Sequence, residues 1–183
     1  MTEKLMIAQA MNEVKLAEKK IQSSLEFILR NLLREEDRRD PFAKDGTTQE
    51  AMVKSALQSI QDNEKRIVSL KLAINKINLE TSLTVESMSA TIAEWLIWRR
   101  DILPPQKQRL QALVQRMTAA LGEPSIAARR TAAAAGVQFE KVQIIVNLSE
   151  KDLMAAIQKL DTIEERLDAM LSMANATTPI EVL

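Results

Sequence analysis

The sequence predicts an all-α protein, an elongated antiparallel bundle of long amphipathic helices with coiled-coil-like packing. Three observations lead there. Apolar side chains recur every three or four residues along most of the chain, the spacing that lines one face of a helix. Glycine (3) and proline (5) are too scarce among 183 residues to build many turns. Aromatics make up only 3%, with no tyrosine, so the core must come from Leu, Ile, Val, Ala and nine Met, a helical palette.

The length fits a single domain spanning 1–183. The first helix is expected over about 3–39, with Ile7, Met11, Val14, Ile21, Leu25, Ile28 and Leu32 as its stripe. Asp40-Pro41 stops it, because proline disfavours helical geometry in the preceding residue. Thr47-Thr48-Gln49-Glu50 reads as a capping box, with Thr47 capping and Glu50 reaching back. The second helix, about 48–78, carries Val53, Ala56, Ile60, Asn63, Ile67, Leu70, Ile74 and Ile77 in strict 3,4 alternation, a coiled-coil seam. Asn63 is its polar member. It is either a tolerated exposed site or a residue that fixes register by pairing with another Asn or with water.

Residues 79–87 form a connection with some extended character. A third helix is expected from Ser87 or Ser89 to about 121, kinked or broken near 104, since Pro104-Pro105 removes backbone donors. Leu110, Leu113, Val114, Met117 and Leu121 should face inward. Residues 123–137 are Ala-rich and read as a loop or a short helix that Ser125 caps and Gly136 ends. The last helix, 150–174, has acids in its first turn and a stripe of Leu153, Ile157, Leu160, Leu167, Leu171 and Ala174. Asn175 is expected to cap it. The run VQIIVNL at 142–148 and the tail TTPIEVL allow one minor two-stranded β element.

A first helix of 37 residues would be roughly 55 Å long. A compact globule of this length would be near 40 Å across. Rods of that length leave stripe surface uncovered, and a homo-oligomer is expected. Charge is segregated as well: residues 87–136 sum to +4 and 137–183 to −4, so the third and last helices should attract.

Composition excludes several chemistries. Without Cys there are no disulfides, thiol nucleophiles or thiolate metal sites, and without His there are no Ser-His-Asp triads or Glu-x-x-His metal motifs. Gly46, Gly122 and Gly136 stand too far apart for a phosphate loop. Adjacent carboxylates such as Glu35-Glu36 and Glu164-Glu165 diverge on a helix and read as solvated surface. With 25 basic and 25 acidic residues, the net charge of zero argues against a nucleic-acid partner. No membrane-length apolar run and no signal peptide is seen, so a cytoplasmic protein, or a virion component, is expected. No catalytic residue, metal or cofactor is predicted.

The unusual segment is IAEWLIWRRD, at 92–101. Trp95 and Trp98 share a helix face beside Arg99 and Arg100. Trp and Arg anchor protein interfaces, and an aromatic–guanidinium cluster also suits a small anion. The plainer reading is a core or interface tryptophan pair with surface arginines. Arg129 and Arg130 form a second basic pair that would complete an anion site if the two converged.

The stretch INLETSLTVESMSATIAEWLIWRRDIL, with VQIIVNLSEKDLMAAIQKLDTIEERLDAML and NATTPIEV, resembles the septicolysin-like family of small helical bacterial proteins. Ile77-Asn78-Leu79, Arg100-Asp101, and Asn175 with Thr177-Thr178 carry the resemblance, over roughly 14–101 and 142–182. Ala176 stands where that family has tryptophan, and Pro104-Pro105 departs from it. The resemblance implies a helical fold and, through the family's name, a membrane-active toxin; it assigns no functional residue.

Three readings follow: a non-enzymatic structural or assembly protein that contacts its own copies and other proteins, an oligomer capturing a small anionic ligand such as a nucleotide, and a membrane-active toxin.

Overall fold

A computed structural model describes residues 3–35, 38–43, 47–122, 134 and 147–182. Its elements in chain order are β1 (Glu3–Met6), α1 (Ile7–Asn31), α2 (Gln49–Glu80), β2 (Ser82–Val85), β3 (Met88–Thr91) and α3 (Ile92–Ile97). A π-helical turn (Trp98–Ile102) follows, then α4 (Leu103–Gly122), α5 (Glu150–Thr177) and β4 (Pro179–Val182). The fold is predominantly helical, as expected. Two small antiparallel ribbons accompany the helices among the described residues, where one was expected. The chain divides into two compact units, Met1–Ser82 with Leu171–Leu183, and Leu83–Met170.

In the first unit, α1 and α2 form an antiparallel hairpin. Gln49, at the start of α2, donates from Nε2 to the carbonyl of Asn31 at the end of α1, 2.6 Å away. Farther along α2, Arg66 reaches both Glu3 and Glu13. The seam of α2 is the predicted one: Leu70 is fully buried and every other seam position at least half-covered. The seam of α1 differs. Its buried line is Ile7, Ala10, Val14 and Ala17, continued by half-buried Ile21, Ser24 and Ile28. Met11, Leu25 and Leu32 are exposed. Small side chains at 10 and 17 let the backbones approach, and α2 covers them in preference to the bulkier residues beside them.

The first helix is shorter than expected at both ends. Residues 3–6 are extended and pair with 179–182, Lys4 opposite Glu181 and Leu5 opposite Ile180. The tail's partner is therefore β1; most of VQIIVNL (142–146) lies outside the described residues. Ile180 and Val182 alternate with exposed Pro179 and Glu181, and bury with Ile7, Ala10, Val14 and Leu70 in one cluster. Strand pairing with this buried face outweighs the helical spacing at 3–6. The Ile7 N–H donates to the Thr178 carbonyl at 3.1 Å, tying α1 to the segment that follows α5. The last helix runs through Asn175 to Thr177 rather than stopping there.

At its other end α1 stops at Asn31, nine residues before Asp40-Pro41. The Asn31 amide folds back on the Phe27 carbonyl, and Phe42 packs on Phe27, ring centroids 5.9 Å apart. Asp40 organises the connection: its two oxygens accept from the backbone N–H groups of Phe42 and Gln49, both at 2.9 Å. Thr48, not Thr47, caps α2 by accepting from Ala51 N–H, so Glu50 closes no box and pairs with Lys54.

In the second unit, Val85, Ile92, Trp95, Leu103, Leu153, Leu160, Ile163 and Leu167 are buried. The predicted stripe of α5 is the buried one, with Ile157 half-buried. The third helix begins at Ile92, later than expected, because 82–91 form the β2–β3 hairpin. Glu86 turns it with φ of 54°, a left-handed conformation for a residue with a Cβ. The expected break near 104 takes the form of the π turn, in which Leu103 N–H donates to the Trp98 carbonyl. Pro104 and Pro105 follow it directly at the start of α4, where the shifted hydrogen bonding of the π turn accommodates the donors they lack. Leu110, Val114 and Met117 are half-buried, but Leu113 is exposed. The Ala-rich segment lies outside the described residues, save Ala134.

The close seam sets one expectation. Ala17→Leu should cost about 1–3 kcal/mol by overpacking, and Leu70→Ala about 2–5 kcal/mol by cavity formation, whereas exposed Leu16→Ala should stay within about 0.5 kcal/mol. Urea unfolding of the three variants checks this.

The Asp40 carboxyl is held below its ordinary range, chiefly by the Gln49 N–H, then by that of Phe42, with Arg34 adding to it. A depressed folded pKa stabilises above the unfolded value and is lost as pH falls through the folded one. Asp40→Asn should therefore melt below the wild type at pH 7, and the gap should close below about pH 4. Thermal melts from pH 7 to 2 would show a constant gap if the carboxylate were irrelevant.

Candidate functional site

The tryptophan segment is built from the hairpin upward. Thr91 ends β3 and caps α3: its hydroxyl accepts from Glu94 N–H, and the Glu94 carboxylate accepts from Thr91 N–H at 2.7 Å. The Thr91 N–H first, and then the Thr91 hydroxyl, which donates to the same carboxylate at 2.9 Å, hold the Glu94 carboxyl below its ordinary pKa. The box T-x-x-E at 91–94 was legible in the sequence and marks the true start of the helix. One turn on, Trp95 is 4% exposed, and its indole N–H donates to the Leu83 carbonyl at 3.0 Å. Trp98 meets it edge to face, centroids 5.6 Å apart and planes at 89°. Trp95 is therefore a core residue that locks the hairpin to α3, and Trp98 its half-buried neighbour.

The arginines leave the pair in different directions. Arg99 binds Asp168 of α5 through two contacts, 3.0 and 3.2 Å. Arg100 grips its neighbour Asp101 through two contacts of 2.8 Å. That contact raises the Arg100 pKa and lowers that of Asp101. Both guanidinium groups are thus occupied by carboxylates, and an anion here would have to displace one. Arg129 and Arg130 lie outside the described residues. The structure brings together Trp95 and Trp98; it pairs Arg99 and Arg100 with separate acids.

No family model, curated protein or solved structure matches the chain.

The segregated charge does what the sequence suggested. Besides Arg99–Asp168, the half-buried Lys107 of α4 contacts Asp161 and Glu164 of α5. Hydrogen bonds to Asp161 first, then Glu164, raise its pKa. In the first unit Arg66 plays the same part, its pKa raised chiefly by Glu13. Spacing could not reveal either knot, since their members lie more than fifty positions apart. Asn63 donates from Nδ2 to the Ser59 carbonyl at 2.7 Å, within its own helix.

Among the described residues no cluster of His, Cys, Asp or Glu is placed to hold a metal. No described helix is long and apolar enough to cross a membrane. The apolar surface is more conspicuous. Among the described residues, nineteen large apolar side chains are exposed, against seventeen apolar residues in the core. Eight of them lie on α1 and α2, including Leu25, Leu29, Leu57, Val68, Leu72 and Leu79.

Trp95→Phe should cost about 1–3 kcal/mol, since it leaves the Leu83 carbonyl without its donor. Trp98→Phe should cost less than half as much. Equal losses in urea unfolding would show that the indole N–H contributes nothing.

Proposed function

We propose that this protein is a non-enzymatic assembly component, a helical chain that associates with its own copies and through them presents surfaces to other proteins. One observation carries the reading: on the α1–α2 hairpin, large apolar side chains face water on both helices, outside the seam the helices share. Isolated surface leucines are ordinary, but rows of them mark a surface that is covered in the working state. The engaged arginines support it further. The segment best suited in sequence to an anion spends its charge on Asp168 and Asp101. Rim ion pairs of this kind align helices more than they stabilise them. A location where copies accumulate, the cytoplasm or a virus particle, goes with this role.

Sedimentation equilibrium of the intact chain tests it. The expected mass is a multiple of 20.6 kDa, growing with concentration. A single species of monomer mass throughout would overturn the proposal.

A further inference from the structure

The second apolar row of α2 has an internal order. Leu57, Val68, Leu72 and Leu79 are 50%, 58%, 63% and 66% exposed. At ~100° per residue they fall within about 60° of arc, centred about 130° from the seam that faces α1. The helix thus has two apolar faces, and α1 covers one of them. A shallow groove of about 540 Å³ lies midway along the other, lined by Gln61, Glu64, Lys65, Val68 and Leu72.

The row is symmetric about Val68. Leu57 and Leu79 lie at equal distances on either side of it, as do Gln61 and Asn75; Leu72 alone has a charged counterpart, Glu64, which stands on the flank of the row. A second α2 laid antiparallel across the same face, with Val68 on the two-fold axis, sets each of these residues opposite its counterpart. Leucine meets leucine at both ends, and Gln61 meets Asn75. A two-fold interface needs such a self-complementary patch. The flanking charges satisfy it too. Glu64 and Lys71 share one flank of the row, so in an antiparallel pair Glu64 of each copy faces Lys71 of the other. Lys71 is free to turn: its ion pair with Glu18 is 3.5 Å long, with both side chains more than half exposed.

We infer that the outer face of α2 is the surface through which two copies of this chain associate, antiparallel about Val68. The inference rests on the self-association proposed above and names its surface.

The chain has no cysteine, so single cysteines report contacts cleanly. Val68→Cys should cross-link to itself under mild oxidation. Leu57→Cys and Leu79→Cys should each fail alone, because like residues would lie roughly 33 Å apart. Mixed together, those two should form a disulfide, which needs Cα atoms within about 7 Å. Val68→Glu should weaken association about a hundredfold or more, with the helical circular dichroism of the wild type, since the side chain is exposed. Cross-links by Leu57→Cys alone would indicate parallel helices and overturn the inference. So would an oligomer that neither Val68→Cys captures nor Val68→Glu weakens, although the assembly reading would then stand. A monomeric wild type would overturn both.

Discussion

The first unit depends on how closely α1 can approach α2. Ala10 and Ala17 supply that closeness, and Leu70 packs in one cluster with Ala10, Ile7 and Val14. A larger side chain at either alanine would push the backbones apart and open the shell that Ile180 and Val182 close. The approach also determines which apolar residues remain in water. Because the small residues face the seam, Leu25 and Leu29 are left beside it rather than in it. The bulky surface that calls for a partner and the tight seam that holds the hairpin are two results of one packing choice.

Charge has a different task in each unit but a common form. A single cation, Arg66 or Lys107, sits partly buried between two carboxylates from other segments. Such a three-way contact contributes little net energy near the surface, yet it penalises a sliding helix, which would strand a half-buried charge. The apolar stripes tolerate a shift of one heptad; these knots do not. Hydrophobic spacing thus brings the helices together, and the ion pairs choose among the registers that spacing permits.

How far the sequence shows this varies with residue size and with distance along the chain. The stripes of α2 and α5 were legible because Ile and Leu hold the 3,4 positions throughout. That of α1 was misread because alanine and serine occupy three of its seven positions, and bulky Met11 and Leu25 imitate a seam. The strand at 3–6 was invisible: its partner lies at 179–182, and no local pattern announces a pairing that distant. The attraction between the third and last helices was visible as opposite net charge, but not the choice of Asp168 for Arg99. The tryptophan pair was legible as neighbours. That Trp95 turns inward depended on a hairpin whose turn rests on Glu86, a residue with no preference for that backbone. Convergence of the arginines was never in the sequence to be read, since it depends on tertiary placement.

The ribbon of β1 and β4 has a consequence for synthesis. The α1–α2 hairpin is complete once residue 80 has left the ribosome, but the strand that shields Leu70 is made roughly a hundred residues later, about 5–20 s at ordinary translation rates. Throughout that interval the nascent hairpin offers its greasiest patch to whatever waits at the exit tunnel, a chaperone or the hairpin emerging from the next ribosome on the same message.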